Sequence, residues 1–451
     1  MTKLWAERAW VGAQWESGVA LEVGEDGRWA DVQLGVVAPP LGAEVLAGPV
    51  LPGFVNAHSH AFQRAFAGLA ERRESAHDDF WSWRDRMYDA ASRVDIAAMS
   101  TVAEQLYSEL LRGGYTEVCE FHYLHHDRDG KPYDEPGAMA WALAAAADEV
   151  GIGFTLLPVL YERAGFGDSS LRDDQRRFAT DPSFILSLQE EALARGVRCG
   201  LAIHSLRAAS PAAIEELLAG SLGGPTHIHV AEQVAEVEAC LEATGSRPIE
   251  WLTENVALDA SWNLIHATHT TPEEVEAVAA SGAGVVLCPT TEANLGDGLT
   301  DLPGWLLEGV PLSVGSDSQV GRDALSELRW LENGQRLVRR ERNVAADPER
   351  EPSTAARLVE RVRSGGGAAA GLASWGLERG ARADLLVADP DADALLGIPE
   401  DHTLDALVCS AGEGCWRDVM VAGRWVVTGG HHAREGAIGE RFAGVMRELW
   451  G

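Results

Sequence analysis

Two histidines one residue apart close the apolar run Pro52-Gly53-Phe54-Val55-Asn56-Ala57-His58-Ser59-His60. Alternate residues of an extended strand share a face. His58 and His60 therefore point from a strand end into one site. Imidazole is an ordinary zinc ligand, and two from one strand leave the rest of the set to come from elsewhere. The candidates are His229, in Thr226-His227-Ile228-His229-Val230, and Asp317, in Ser316-Asp317-Ser318. Three imidazoles and a carboxylate suit a divalent ion such as zinc and leave a position open for water. Such an ion brings the pKa of the water towards neutrality and makes hydroxide available. Each residue alone has a plainer reading: a surface or core histidine, or an aspartate capping a turn. The metal reading depends on a fold that brings all four together.

Two further groups stand near these. Glu232 lies three residues after His229, at the start of the next predicted helix. A carboxylate there can take a proton from the water and hand it to a leaving nitrogen. As an ordinary first-turn glutamate it would simply suit the helix dipole. His266 ends another predicted strand and can hydrogen-bond the water or polarise the bond under attack, with His269 a rival by spacing. Lys3 and Lys131 are the only lysines, and neither lies at a predicted strand end. A carboxylated lysine bridging two metals is thereby ruled out, and the expectation is one ion per chain.

The elements that must position these residues alternate. Apolar strands are predicted at 53–58, 115–121, 154–160, 197–203, 226–230, 262–265, 284–288 and 312–316, with helices between most of them. This reads as an α/β fold, a (β/α)8 TIM barrel. An open doubly wound sheet allows the same alternation, but placement favours the barrel. His58, His60, His204, His229, His266 and Asp317 all fall at C-terminal strand ends, which a closed barrel gathers around one mouth. Residues 1–49 and 372–433 carry short strands, among them Trp5–Val11, Val19–Val23, Ala383–Val387, Ala406–Cys409 and Val419–Val421. They read as one small β-sandwich domain assembled from both termini, beside a barrel at 50–371. Residues 434–451 read as a C-terminal helix.

Charge narrows the function further. The chain has 37 Lys+Arg against 69 Asp+Glu in 451 residues, a net charge of -32. It repels nucleic acid and anionic membrane as a whole, so an anionic ligand needs a local basic pocket. There is no long apolar run and no basic-then-apolar leader, so neither a membrane span nor a secretion signal is expected. Six scattered cysteines without Cys-x-x-Cys fit a reduced, cytoplasmic setting.

These residues resemble the amidohydrolase superfamily. The likeness is carried by His58-x-His60 after Pro52-Gly53-Phe54-Val55-Asn56, by His229-x-x-Glu232, by His266 and Asp317, and by the run 376–385. It covers essentially the whole chain and is similar to the mononuclear deaminase branch, which also holds guanine, cytosine and adenosine-type deaminases. Four segments resemble enzymes of that branch acting on N-formimino-L-glutamate in histidine degradation. They are His58-Ser59-His60-Ala61-Phe62-Gln63-Arg64, Phe80-Trp81-Ser82-Trp83-Arg84, Glu120-Phe121-His122-Tyr123-Leu124-His125-His126 and His204-Ser205-Leu206-Arg207. The resemblance implies hydrolysis to N-formyl-L-glutamate and ammonia, a zinc ion and a homodimer. It implies substrate contacts from Gln63, Arg84, Tyr123, His204 and Arg207, and a reaction carried by Glu232, His266 and Asp317. Two carboxylates suit two arginine forks, and which arginine takes which is open. In so acidic a chain both arginines could instead be surface ion-pair partners.

Two other classes stand beside this one. A zinc deaminase of a heterocyclic base or nucleoside would use stacking, which Trp81, Trp83 and Phe121 could supply. A non-catalytic metal-binding protein would need the site closed to water.

Overall fold

The computed structural model describes residues 2–73, 79–167, 169–412 and 414–451. Eight parallel strands close into a barrel: β1 (Phe54–Ser59), β2 (Tyr115–His122), β3 (Gly153–Leu160), β4 (Arg198–Cys199 continued by Leu201–Ile203), β5 (Thr226–Val230), β6 (Trp262–His266), β7 (Gly284–Leu287) and β8 (Leu312–Val314). Closure comes from β8 pairing with β1, Val314 opposite Asn56. Nearly every residue of these strands is buried, as a sheet wrapped by helices requires. That is why they read as continuous apolar runs.

Side chains stitch the β1–β8 seam. The Asn56 amide donates to Ser316 Oγ at 2.6 Å and accepts from the Ser316 N–H at 3.0 Å. Gly315 faces His58, and a Cβ there would lie 2.7 Å from His58 Cβ. Only glycine lets the two strand ends approach this closely.

Strands from both ends of the chain form a second, mostly antiparallel sheet. It runs from His431–His432 through Arg424–Thr428, Trp416–Val421, Leu385–Ala388 and Val50–Leu51 to Thr2–Val11, Gln14–Val23 and Trp29–Gln33. Leu4, Ala6, Val19, Leu21, Leu385, Val387 and Met420 share its core. Glu117, fully buried on β2, takes Arg198 at 2.9 Å and Arg382 at 2.5 Å, so the segment entering this sheet is bonded to the barrel.

Two local readings change. Ala406–Cys409, read as a strand, lies in the helix Thr403–Ser410. Leu404, Leu407 and Val408 recur at helical spacing and bury together against the barrel helices, so packing decides the conformation. Two helices without a sequence expectation, Pro248–Asn255 and Pro289–Leu295, each begin at a proline, whose fixed φ suits a first turn. The final helix is Glu435–Trp450.

Candidate active site

One pocket at the C-terminal mouth of the barrel is lined by His60, Gln63, Arg84, Tyr123, His204, Arg207, His229, Glu232, His266 and Asp317. His58 lies just beneath, fully buried. His269 does not line it, which leaves His266 as the strand-six histidine facing the pocket. Nor do His122, His125 and His126: His125 and His126 pack on Phe184, His126 Nε2 meets the Ala179 carbonyl, and His122 packs on His125.

Four candidate ligands converge. Asp317 Oδ1 is 3.4 Å from His58 Nε2 and 3.3 Å from His60 Nε2, and His229 Nε2 is 3.0 Å from His58 Nε2. The chemistry of the donors fits a divalent cation. His60 Nδ1 meets the Phe121 carbonyl and His229 Nδ1 the His204 carbonyl, both at 2.9 Å. A carbonyl only accepts, so both Nδ1 atoms carry the proton and both Nε2 lone pairs face the cluster, the arrangement that orients histidine ligands. Burial holds His60 and His229 below the usual imidazole range and lowers His58 to about 3, so all three are neutral. Burial opposes the Asp317 charge, but the bond from His58 and the charged His266 outweigh it and hold the carboxyl below its usual range.

Glu232 and His266 stand beside this cluster. His266 Nε2 is 3.7 Å from Glu232 Oε1 and 3.8 Å from Asp317 Oδ2. Its Nδ1 is 3.3 Å from Glu292 Oε1. Burial disfavours the imidazolium, yet Glu232, Glu292 and Asp317 together raise His266 to about 10. Burial, opposed by His266 and helped by Asp317 and Glu236, raises Glu232 to about 7. A carboxyl there can both accept and release a proton near neutral pH.

The backbone at these strand ends is unusual. Ala231, His266, Ala267 and Asp317 all have positive φ, between 44° and 69°, without being glycine. Such conformations cost about 1–3 kcal/mol each and persist where the surroundings enforce them. Glu236 is one enforcer: its carboxylate accepts the Ala231 N–H at 3.2 Å and the Glu232 N–H at 3.0 Å.

The remaining pocket residues come from two further elements. The helix Phe80–Arg93 opens on Asp79, whose carboxylate caps the N–H groups of Trp81 and Ser82 at 3.0 and 3.2 Å. Phe80, Trp83, Arg84, Met87 and Tyr88 recur at helical spacing and face the pocket. Gln63 donates to the Tyr123 hydroxyl at 2.9 Å, and its own Oε1 is buried without a partner. Arg207 follows β4. Among the described residues neither Arg84 nor Arg207 forms an ion pair, and Arg84 Nε is buried without an acceptor. Their charges rest instead against the Trp81 ring, 4.5 and 5.5 Å from its centroid.

Sequence reasoning missed Glu236 and Glu292. Glu292 had a signal, since it sits three residues after the proline that opens Pro289–Leu295, but its contact with His266 is tertiary.

The chain matches the amidohydrolase family over residues 50–426. It belongs to that family and is a hydrolase. It is 45% identical over 454 aligned residues to a formimidoylglutamate deiminase of Pseudomonas aeruginosa, covering 100% of both. A crystal structure of an amidohydrolase from Brucella melitensis superposes with a TM-score of 0.95 at 40% identity, again over 100% of both chains. A zinc-bound adenosine deaminase from Xanthomonas campestris superposes with a TM-score of 0.82 at 21% identity, covering 99% of this chain and 98% of the other. That last likeness concerns the fold.

Proposed function

We propose that the protein hydrolyses N-formimino-L-glutamate to N-formyl-L-glutamate and ammonia, with one zinc ion per chain held by His58, His60, His229 and Asp317. The observation that carries this reading is the pair Arg84 and Arg207, which line the pocket without ion-pair partners among the described residues. In a chain of net charge -32, two unpaired guanidiniums at one mouth call for two anionic groups on one ligand. The full-length likeness to a formimidoylglutamate deiminase supports it.

The ion, when bound, supplies Lewis acidity and an acidified water. The chain's own residues do the rest. Arg84 and Arg207 take the two carboxylates, and Gln63, Tyr123 and His204 orient the amidine between them. Glu232 accepts a proton from the attacking water and passes it to the imino nitrogen, then carries the remaining hydroxyl proton to the same nitrogen, so that it departs as ammonia. His266, held charged by Glu292, donates a hydrogen bond where negative charge develops. The C–N bond breaks, ammonia leaves and the formyl C=O replaces C=NH.

A stacked heterocycle is less well served. The Trp81 ring carries two guanidiniums, Phe121 packs on His58 and His229, and Trp83 packs on Phe66 and Phe80. We also propose a cytoplasmic homodimer working in histidine degradation. All six cysteines are free, and no described helix is long and apolar enough to cross a membrane. Exposed Trp330, Leu337 and Val338 on the helix Ala324–Arg339 are apolar surface of the kind a subunit contact covers.

The test is ammonia release by metal-loaded protein from N-formimino-L-glutamate, N-formimino-L-aspartate, guanine, cytosine and adenosine. The expected order puts N-formimino-L-glutamate first. Preference for a base ends the assignment and leaves deaminase chemistry standing; no ammonia from any favours a metal-binding protein without turnover.

A further inference from the structure

Arg84 and Arg207 come from different elements, one from the helix Phe80–Arg93 and one from the turn after β4. Glu232 and Glu236 line the same pocket, but among the described residues neither arginine forms an ion pair with a carboxylate, and two like charges at one mouth repel each other. One side chain contacts both. Trp81 precedes Arg84 by three residues on the same helix face. Its ring centroid is 4.5 Å from Arg84 Cζ and 5.5 Å from Arg207 Cζ. Trp81 does not line the pocket. Its ring touches the cations rather than the ligand space.

An aromatic face holds a guanidinium in a way a carboxylate cannot. A carboxylate occupies the planar N–H fork, whereas an indole attracts the cation through its quadrupole and leaves the fork free. We propose that Trp81 is a positioning residue: it fixes the separation of the Arg84 and Arg207 forks while keeping their N–H groups available, and so sets the spacing between the two carboxylates the site accepts. This rests on the dicarboxylate reading above. Loss of the ring should weaken binding of the dianion while leaving the proton-transfer groups in place. It should also blur the distinction between glutamate and aspartate chain lengths, which differ only in that spacing.

The test compares metal-loaded wild type with Trp81→Met, which keeps apolar bulk but no π face, and Trp81→Phe, which keeps a smaller ring. KM and kcat are measured with N-formimino-L-glutamate and N-formimino-L-aspartate. Calorimetry gives the Kd of N-formyl-L-glutamate, a readout independent of turnover. Two partly desolvated cation–π contacts correspond to about a tenfold rise in KM and Kd for Trp81→Met. We expect kcat within about threefold, Trp81→Phe roughly midway, and a narrowed glutamate-to-aspartate ratio. KM and Kd unchanged in Trp81→Met, a loss confined to kcat, or no recovery in Trp81→Phe overturns the role of Trp81 while the substrate assignment stands. Wild-type protein that neither turns over the substrate nor binds N-formyl-L-glutamate overturns both. If Trp81→Met loses its cooperative melting transition, Trp81→Phe decides alone: KM up by about threefold supports the proposal, and an unchanged KM overturns it.

Discussion

Replacing Glu232 with Gln separates proton transfer from everything else the pocket does. Gln is isosteric, and the Glu232 side chain makes no direct hydrogen bond among the described residues; its nearest charged partner is His266 at 3.7 Å. The backbone N–H that fixes the residue is held by Glu236, which the substitution leaves alone. The four candidate ligands are untouched, so metal content should not change, and neither should KM, which the proposed function assigns to Arg84 and Arg207. Only the shuttle is lost. General acid–base steps are worth about 10²–10⁴-fold, or roughly 2.7–5.4 kcal/mol of barrel-site barrier at about 1.36 kcal/mol per tenfold. Glu232 would act twice, accepting a proton and then donating it, and burial raises it to about 7, near the ideal for both steps. The expected loss in kcat is therefore about 10³-fold. Steady-state ammonia release, with zinc measured on the same sample, is the assay. A kcat within about tenfold of wild type at full metal loading would move the shuttle to another group. Loss of metal together with activity would show that Glu232 holds the site together instead.

Two further outcomes are expected. Elemental analysis of protein purified without chelator should find one zinc-like ion per chain, and His229→Ala should lose it; two ions per chain would refute the four-ligand reading. Burial raises the Glu327 carboxyl from 4.5 to about 8 beneath the Thr290 N–H and hydroxyl, so the folded chain holds a proton that the unfolded chain has released. Its stabilising share is full below pH 4.5 and falls as pH rises to about 8, by at most about 1.4 kcal/mol per pH unit. Tm measured across that window should fall less steeply in Glu327→Gln than in wild type, and parallel curves would refute the assignment.

What could be read from the sequence was whatever a strand end or a helical period dictates. His58 and His60 announce a shared site because the strand period is two, and the eight apolar runs announce a barrel because strands covered on both faces need no polar alternation. The spacing of Trp81 and Arg84 is also local, but the sequence offered Trp81 only as a stacking surface for a base, and its contact with Arg84 came from the structure. Contacts fixed only by closure were not legible: Trp81 reaches Arg207 on another element, and Glu292 reaches His266 from the next βα connection. The left-handed backbone at Ala231, His266 and Asp317 carries no glycine to mark it. Ala406–Cys409 misled because four apolar residues fit either a strand or one helical turn, and only the surface they cover decides between them.

The pocket must hold a dianion in a strongly acidic chain, and it contains Glu232, Glu236 and Asp317 as well as two arginines. How the carboxylates are used resolves the conflict. Asp317 is turned towards three histidines, and Glu236 accepts two backbone N–H groups. Glu232 stands against His266. Each negative charge at the mouth is thus committed to a histidine or to the backbone, while each guanidinium is held by an aromatic face that consumes none of its donors. The local reversal of sign does not require an excess of basic residues. It requires only that the acids be engaged and the bases left free, which two arginines and one tryptophan achieve against a net charge of -32.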